Sequence, residues 1–452
     1  MVIVWLPISV SMRRRFVARR QSLLAIFVLP LAACVLYSGV SITPLFLLPS
    51  DIWRPTTNVV ELVEAGDYPR VLELARSPQM RGSRSSRELA AIGAAELASG
   101  RFPEAKEHLL AALQLKPFRD DAASIAWNLS QVEYLDNNHA ESLRWAREAI
   151  QYGMGIRQWH LDFLDALSRE KVYEFVGASQ TAVPMGVHDP DIPRVDVELN
   201  GSHLTAAFID SGAVVSIISR RLASQMALRP LGTFQGTFFG LLGEPITVSF
   251  GIIDSMRLGE IEIRGIPVAI MPDEKLDFVV VKRERFKMDL LLGANFLKEF
   301  RVELDYDTPE LILSAIEQRA PAANQNLFFV GFRPFVHATI NRKGWYPFIL
   351  DTGSEITFLN EGELGGTRIR TATKIHGALL QGLGGAKKHG AKVEDVEIGV
   401  DRWAGKFRNL PLYSSEKSNA LGIVGEDFLR NFRVVIDFGT MRVDLYRAGQ
   451  FR

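Results

Sequence analysis

Two apolar segments of this chain end on an aspartate, in the sequences F-I-D-S-G (Phe208–Gly212) and F-I-L-D-T-G (Phe348–Gly353). Each is followed by a second signature: L-L-G-A-N-F-L-K-E-F-R-V-E-L-D-Y (Leu291–Tyr306) after the first and I-V-G-E-D-F-L-R-N-F-R-V-V-I-D-F (Ile423–Phe438) after the second. The signatures align without gaps at an offset of 132 (423 − 291) and share seven of sixteen residues. A lone D-[ST]-G is an ordinary turn sequence, but this paired recurrence indicates a duplicated domain with one aspartate per copy.

Two aspartates brought together from such copies have a characteristic chemistry. Carboxylates held about 3 Å apart cannot both ionise, so they share one proton. The ionised carboxylate then accepts a proton from a bound water, while the protonated carboxyl hydrogen-bonds the carbonyl under attack. The pattern therefore predicts Asp210 and Asp351 as a catalytic pair, with no cofactor and no metal required.

The residues after each aspartate are predicted to support the pair. Gly212 and Gly353 carry no Cβ, so two loop backbones can approach each other closely there. The hydroxyl residues Ser211 and Thr352 are predicted to hydrogen-bond across to the opposite loop and to lock the pair in place.

Together these motifs resemble the retroviral-type (retropepsin-like) aspartic peptidases of bacteria, here as tandem copies in one chain. The resemblance covers roughly Val195 to Leu445, and it implies a mainly-β, double-lobed acid-protease fold with Asp210 and Asp351 as the catalytic dyad. It also implies that Gly293 and Gly425 pass beneath the D-[ST]-G loops. The flap of this family, a glycine-containing hairpin over the substrate, is expected at Gly240, Gly243, Gly382 and Gly384.

The function expected from this resemblance is an aspartic endopeptidase that acts on a protein or peptide substrate. Both copies lie in one chain, so a monomer is expected to be active. One alternative is a non-catalytic envelope scaffold that binds peptides in the cleft and proteins on its helical repeats. Another is an assembly factor for envelope proteins that acts mainly through those repeats.

Composition excludes several other classes of function. The chain has 52 basic and 52 acidic residues, so its net charge gives no reason to expect nucleic-acid binding. Its eight histidines form no H-E-x-x-H motif and no cluster with the single cysteine, so no metal site is expected.

The N-terminal segment is predicted to be a signal or membrane anchor. A block of arginines lies between residues 13 and 20, and no charged residue occurs from Gln21 to Ser50. That run is long enough to span a bilayer, and the preceding arginines place everything after Asp51 outside the cytoplasm. The body is thus expected to be exported and tethered, on the periplasmic side of the inner membrane in a Gram-negative host. Alternatively, Cys34 in L-A-A-C resembles a lipobox, which makes it a candidate for lipidation in a lipoprotein.

A helical repeat region is predicted between the anchor and the protease. The sequence Gly66-Asp67-Tyr68-Pro69 recurs as Gly100-Arg101-Phe102-Pro103 after 34 residues, and more loosely at Asn137-Asn138-His139 after 37. The pattern resembles a tetratricopeptide repeat, although an ordinary helical bundle remains the alternative. If it is a repeat, its concave face is expected to bind a protein partner.

The predicted fold class is thus multidomain: an all-α, tetratricopeptide-like helical repeat followed by a mainly-β double-lobed acid-protease fold. The predicted boundaries are 1–50 for the signal or anchor, 51–176 for the helical repeats, 177–318 for the first lobe and 319–452 for the second lobe.

Overall fold

The computed structural model of the chain describes residues 40–45, 56–77, 84–187, 192–240, 245–279, 285–367, 369, 372–382, 385–413 and 420–447. They form a helical region followed by two β-sheet lobes, which contribute strands to a third, shared sheet. The predicted class, helices followed by a double-lobed β fold, is confirmed. Cys34, Gly243 and Gly384 lie outside the described residues, as does most of the predicted anchor.

The helical region consists of helix pairs joined by tight turns. Gly66, Gly100 and Asn137 adopt positive φ values of 74°, 69° and 60° at the positions where the sequence repeats. A proline follows at the second residue of the next helix in the first two copies, where no intrahelical hydrogen bond is lost. The described helices are α1 (Val59–Glu64), α2 (Tyr68–Arg76), α3 (Ser86–Ala98), α4 (Phe102–Gln114), α5 (Arg119–Leu135), α6 (His139–Gln151) and α7 (Gln158–Leu167).

One strand, β1 (Ser41–Pro44), precedes the helices, and the strands of the first lobe follow them. These strands are β2 (Glu174–Gly177), β3 (Gln180–Pro184), β4 (Arg194–Leu199), β5 (His203–Ile209), β6 (Ile217–Ser219), β7 (Arg229–Pro230), β8 (Gly236–Phe239), β9 (Pro245–Leu258), β10 (Ile261–Met271), β11 (Asp277–Val279), β12 (Arg285–Lys287), β13 (Leu290–Leu292), β14 (Phe300–Asp305) and β15 (Glu310–Ala315). Short helices α8 (Arg220–Gln225) and α9 (Ala294–Leu297) and a 3-10 turn (Asp273–Lys275) connect them.

The central strands of the first-lobe sheet explain the apolar runs in the sequence. The order is β2-β10-β6-β13-β5-β4-β9-β7, with β8 paired to β9. Strands β5 and β13 lie parallel, with Phe208 opposite Leu291. Every residue of β13 is buried, as expected for a parallel strand covered on both faces.

The second lobe repeats this arrangement. The strands of this half are β16 (Leu327–Val330), β17 (Arg333–Ile340), β18 (Lys343–Leu350), β19 (Phe358–Asn360), β20 (Ala372–Gly382), β21 (Gly385–Val400), β22 (Trp403–Tyr413), β23 (Gly422–Val424), β24 (Arg433–Asp437) and β25 (Arg442–Tyr446), with helix α10 (Glu426–Leu429) and a 3-10 helix (Glu361–Gly366). The sheet has the order β1-β22-β19-β23-β18-β17-β21-β20, and the parallel pair is now β18 and β23, with Ile349 opposite Ile423.

Strand β1 is where the structure departs from the predicted domain boundaries. The sequence analysis included Ser41–Pro44 in the uncharged anchor segment, but these residues pair antiparallel with β22, from Ser41 opposite Lys406 to Pro44 opposite Trp403. Strand β2 pairs with β10 in the same way in the first lobe. The helical region is therefore inserted between two equivalent edge strands, one for each lobe.

A five-stranded sheet joins the two lobes. Its order is β25-β24-β14-β15-β3, so it combines strands of both copies. Strand β14 pairs with β24, with Val302 opposite Ile436. Arg433 also donates to the Glu303 carboxylate across this junction, with Nε at 2.9 Å. The two copies therefore share continuous backbone hydrogen bonding.

The helical region packs against both lobes through aromatic side chains. In the first lobe, the ring of Trp159 on α7 stacks on Phe250, with centroids 6.1 Å apart. In the second, Tyr134 on α5 meets Phe332 edge-on at 4.7 Å. The buried His337 on β17 forms a 2.7 Å hydrogen bond with the Gly66 carbonyl oxygen. Residues of α5, of α7 and of the turn at Gly66 therefore contact the protease lobes of the same chain.

Within the described part of the chain, no helix is long and apolar enough to cross a membrane.

We expect Gly265→Ala to destabilise the protein, because Gly265 has φ +69° and an added Cβ would overlap the Lys171 carbonyl oxygen. The positive φ alone costs an alanine about 1–2 kcal/mol, and the overlap with the backbone adds to that cost. Gly201→Ala is the matched control, since Gly201 has φ +68° and nothing within 4 Å of the new Cβ. Denaturant unfolding should give the larger loss for Gly265→Ala. Equal losses would contradict the close packing between the exit of the helical region and the first lobe.

Candidate active site

The two D-[ST]-G loops lie at equivalent ends of the two lobes. Asp210 follows β5, and its N–H donates to the Leu292 carbonyl at 3.0 Å. Asp351 follows β18, and its N–H donates to the Val424 carbonyl at 3.1 Å. Each aspartate therefore continues a buried strand whose parallel neighbour carries the second sequence signature. This explains why the two motifs occur together in each copy.

The loops are joined by reciprocal hydrogen bonds from their hydroxyl residues. The Thr352 hydroxyl donates to the Ile209 carbonyl at 2.7 Å and accepts from the Ser211 N–H at 3.1 Å. The Ser211 hydroxyl donates to the Leu350 carbonyl at 2.7 Å and accepts from the Thr352 N–H at 3.2 Å. The structure thus places both predicted hydroxyl residues in the contact between the lobes. Their hydrogen bonds fix the distance between the two loops.

Each carboxyl lies directly over the glycine of the opposite loop. A Cβ on Gly212 would overlap the Asp351 carboxyl, and a Cβ on Gly353 would overlap the Asp210 carboxyl. The Gly353 N–H donates to Asp351 Oδ1 at 2.9 Å, and the Ala213 N–H donates to Asp210 Oδ1 at the same distance. Only glycine leaves room for this crossed arrangement.

The aspartate pair, Asp210 and Asp351, is fully buried and shares a hydrogen bond. Burial, together with the charge of Asp351 and the hydrogen bond between the carboxyls, raises the pKa of Asp210 to about 8. The cause is physical: a desolvated carboxyl beside a second carboxyl loses much of the stabilisation of its charged form. The pair therefore retains one proton at neutral pH.

The two glycines expected beneath the D-[ST]-G loops, Gly293 and Gly425, have close backbone neighbours. A Cβ on Gly293 would lie 2.9 Å from the Ala213 carbonyl oxygen, and one on Gly425 would lie 2.5 Å from the Ile356 carbonyl oxygen. Both glycines therefore contact the backbone that follows the D-[ST]-G loops, and neither position has space for a side chain.

A serine and an asparagine, both missed by the sequence analysis, brace the loop of the first lobe. The Ser216 hydroxyl donates to Asn295 Oδ1 at 2.9 Å and accepts from the Gly293 N–H at 3.1 Å. Asn295 Oδ1 also accepts from the Ser216 N–H at 2.7 Å. These hydrogen bonds tie the segment after the aspartate to the supporting glycine.

The second lobe repeats this brace with different residues. The Thr357 hydroxyl donates to Asp427 Oδ1 at 2.6 Å and accepts from the Gly425 N–H at 3.1 Å. Burial raises the pKa of Asp427 to about 6. Ser216 and Thr357 each follow their aspartate by six residues, and Asn295 aligns with Asp427 in the repeated signature. A position-by-position comparison of the two copies would have found these residues.

A further buried carboxyl, Glu426, lies near the pair in the second lobe only. The Tyr306 hydroxyl of the first lobe donates to Glu426 Oε1 at 2.8 Å. Burial raises the pKa of Glu426 well above its ordinary value, and the Asp351 charge contributes in the same direction. Burial therefore favours the protonated form of Glu426. The aligned residue of the first lobe is Ala294, so the internal repeat contained no signal for this carboxyl.

The expected flap glycines fall at hairpin ends as far as the structure describes them. Gly240 follows β8, which pairs with β9 up to Phe239 opposite Pro245. Gly382 lies opposite Gly385 at the end of the β20–β21 hairpin. The described residues contain no group of three or more histidine, cysteine, aspartate or glutamate side chains suited to a metal ion.

Residues 195–299 match the family model described as gag-polyprotein putative aspartyl protease. Among solved structures, a retropepsin-like aspartic protease from Rickettsia conorii aligns with 15% identity over 32% of this chain and 97% of its own, with a TM-score of 0.21. An aspartic proteinase from Irpex lacteus aligns with 12% identity over 60% of this chain and 98% of its own, with a TM-score of 0.35. No curated protein matches the chain.

The double-lobed fold and the family match define the class of this protein as an aspartic-type endopeptidase. The match of residues 195–299 to an aspartyl-protease family model confirms, for that part of the first lobe, the resemblance seen in the sequence.

Removing one hydroxyl of the interlobe contact is expected to destabilise the protein. Thr352→Ala leaves the Ile209 carbonyl and the Ser211 N–H without their buried partner, at a cost of about 1–3 kcal/mol. Thr352→Ser keeps the hydroxyl and should retain most of the stability. Ser202→Ala, which removes an exposed hydroxyl, is the control. A free energy of unfolding that is equal for Thr352→Ala and the control would rule out this role.

The raised pKa of Asp210 predicts a stability that depends on pH. Between about pH 4 and pH 8, the unfolded chain has an ionised Asp210 while the folded protein keeps the proton. The folded state therefore binds more protons, and this residue's contribution to stability falls as pH rises through that range. Asp210→Asn abolishes the effect, so its unfolding free energy relative to wild type should increase from pH 5 to pH 8. The exposed Asp196→Asn is the control, and a difference that does not vary with pH would contradict the prediction.

Proposed function

We propose that this protein is a membrane-tethered aspartic endopeptidase that hydrolyses peptide bonds with a water activated between Asp210 and Asp351. One observation carries the proposal: two buried carboxyls, one from each lobe, share a hydrogen bond and lie over the glycines of the opposite loops. A scaffold that only binds peptides has no need for a pair of carboxyls whose charged forms repel each other.

The proposed reaction is general acid–base hydrolysis without a covalent intermediate. The ionised carboxyl accepts a proton from water as the water oxygen attacks the peptide carbonyl carbon. The protonated carboxyl donates its proton to the carbonyl oxygen, which gives a tetrahedral diol. The carboxyl that took the water proton then passes it to the amide nitrogen, while the other carboxylate takes a proton back from a hydroxyl of the diol. The C–N bond breaks to give the carboxylic acid and the amine, and the pair again holds one proton. The main-chain N–H groups of Ala213 and Gly353 hold the carboxyls in place throughout.

The tether is proposed from the sequence and from the position of β1. Because Ser41–Pro44 belong to the second lobe and Val40 packs against the hydrophobic core, the uncharged run available for a span shortens to Gln21–Gly39. These 19 residues (39 − 21 + 1) are close to the length that a transmembrane helix needs, about 20 residues. In this proposal the chain enters the second lobe directly from the membrane, with the body on the periplasmic side. Lipidation at Cys34 is the alternative attachment.

We expect the full-length protein in detergent to cleave peptides from a diverse mixture between pH 4 and pH 7. The rate should fall as pH rises above about 8, because the pair then loses the proton that it donates to the carbonyl. Asp210→Asn and Asp351→Asn should each lower the rate by about 10²–10⁴-fold, the usual contribution of a general acid or base. Mass spectrometry of the products gives both the rate and the cleavage preference.

Asp196→Asn, on the exposed side of β4, serves as the control and should cleave at the wild-type rate. Full-length protein is needed because a chain that began at Asp51 would lack β1. A folded protein that cleaves nothing at any pH would overturn the proposal and leave a peptide-binding scaffold. Cleavage that survives in either aspartate variant would assign the chemistry to other residues.

A further inference from the structure

A buried arginine of the second lobe contacts the D-S-G loop of the first lobe. Arg333 is the first residue of β17 and is 6% exposed. Its Nε–H donates to the Gly212 carbonyl oxygen at 3.0 Å. Gly212 is also the glycine over which the Asp351 carboxyl lies. The guanidinium therefore reaches across the lobe interface to the loop that supports the aspartate pair.

Arg333 brings a positive charge close to the pair. Burial lowers its pKa to about 10, while the charges of Asp351, Tyr413 and Asp210 oppose that change. It is therefore still protonated at neutral pH. A nearby cation favours the ionised form of a carboxyl.

In the first lobe, the position that corresponds to Arg333 is uncharged. In the second lobe, β17 pairs with β18, and Phe335 lies opposite Ile349. Continuing this antiparallel register by two residues places Arg333 opposite Asp351. In the first lobe, β4 pairs with β5, and Arg194 lies opposite Phe208. Continuing that register by two residues places Ile192 opposite Asp210. At the position opposite the aspartate, the second lobe thus has a buried arginine where the first lobe has Ile192.

The residue before Arg333 is held by the helical region. Phe332 is 6% exposed and meets the ring of Tyr134 edge-on at 4.7 Å. The rings of Trp127 and His160 also lie near Phe332, with centroids at 6.2 Å and 6.4 Å. The helical region therefore fixes the point at which the chain enters β17 and presents Arg333 to the opposite loop.

We propose that Arg333 is a positioning residue that holds the D-S-G loop through Gly212 and keeps Asp351 ionised as the general base, which leaves the shared proton on Asp210. We further propose that the contact of Phe332 with the helical region sets the position of Arg333. This inference rests on the proposed peptidase function of the same site. It assigns to each aspartate the role that the symmetric sequence motifs leave open.

The test compares Arg333→Gln with Arg333→Lys in full-length protein, using pH profiles of kcat/KM. Without the cation, protons bind the pair more tightly, so both limbs of the profile for Arg333→Gln should move to higher pH by about one unit. Arg333→Lys keeps the charge, so its limbs should stay at the wild-type pH, while the lost Nε contact to Gly212 lowers kcat. Arg342→Gln removes a half-exposed arginine of the same lobe and should leave the profile unchanged.

A lower kcat in Arg333→Gln with unmoved limbs would overturn the inference, because a purely structural role predicts that result. Arg333→Lys tests the inference even if Arg333→Gln does not fold. If the limbs of the Arg333→Lys profile move by a full pH unit although the charge is retained, the inference is also overturned.

A second measurement separates this inference from the peptidase proposal. Carboxyl ¹³C shifts of the pair, assigned with Asp210→Asn and Asp351→Asn, can be titrated without any turnover. The inference predicts that Asp351 ionises first in the wild type and that this order weakens in Arg333→Gln. Wild-type protein that titrates in this order but cleaves no peptide would refute the peptidase proposal alone. A titration in which Asp210 ionises first would refute the assignment of roles alone.

The link to the helical region has its own test. Phe332→Ala removes the ring between Tyr134 and Trp127, so Arg333 should shift, with kcat falling by up to about 10²-fold and the limbs moving in the same direction as in Arg333→Gln. Phe332→Leu keeps an apolar side chain at this position, so its kcat and the limbs of its pH profile should lie between those of Phe332→Ala and wild type. Phe118→Ala removes a ring that is 82% exposed and is the control. A folded Phe332→Ala with wild-type kcat and limbs would overturn the link.

Discussion

The contact between the two D-[ST]-G loops constrains the rest of the protease. Ser211 and Thr352 each hydrogen-bond the backbone of the other lobe, and each aspartate carboxyl occupies the space that a side chain would fill on the opposite glycine. This geometry requires the lobes to meet at one distance and one angle. The five-stranded sheet contributed by both copies meets that requirement with continuous backbone hydrogen bonds, which are harder to deform than side-chain contacts. A two-carboxyl site demands such rigidity, because the carboxyls repel each other whenever both ionise.

The helical region contributes to the same rigidity. It enters from β1, which closes the edge of the second lobe, and leaves through β2, which closes the edge of the first. Aromatic contacts from Trp159 and Tyr134 then reach both lobes. One hydrophobic cluster runs from Leu97 in the helices to Leu445 in the second lobe. These connections make the helical region part of the protease body, and a separate adaptor module would not need them.

The internal repeat allowed much of the candidate site to be predicted. Asp210 and Asp351, their glycines and their hydroxyl neighbours occur in short strings whose spacing is the same in both copies. The brace that joins Ser216 to Asn295 was equally visible as a repeated position and was overlooked. Arg333 and Glu426 could not be found in this way, because each occurs in one copy only and its burial depends on contacts with the other lobe or with the helices. Asymmetric residues give no repeat signal.

By itself, the sequence determined the duplicated β fold, the helix pairs with their left-handed turns, and the two aspartates, because each is encoded by local patterns of apolar residues, glycine and hydroxyls. Only the tertiary structure decided that Ser41–Pro44 completes the second lobe, that the helices cover the protease, and that an arginine lies beside the pair. A four-residue edge strand has too little pattern to recognise, and the strand that it pairs with begins 359 residues later (403 − 44). Contacts over such separations depend on how the whole chain packs, and no short segment records them.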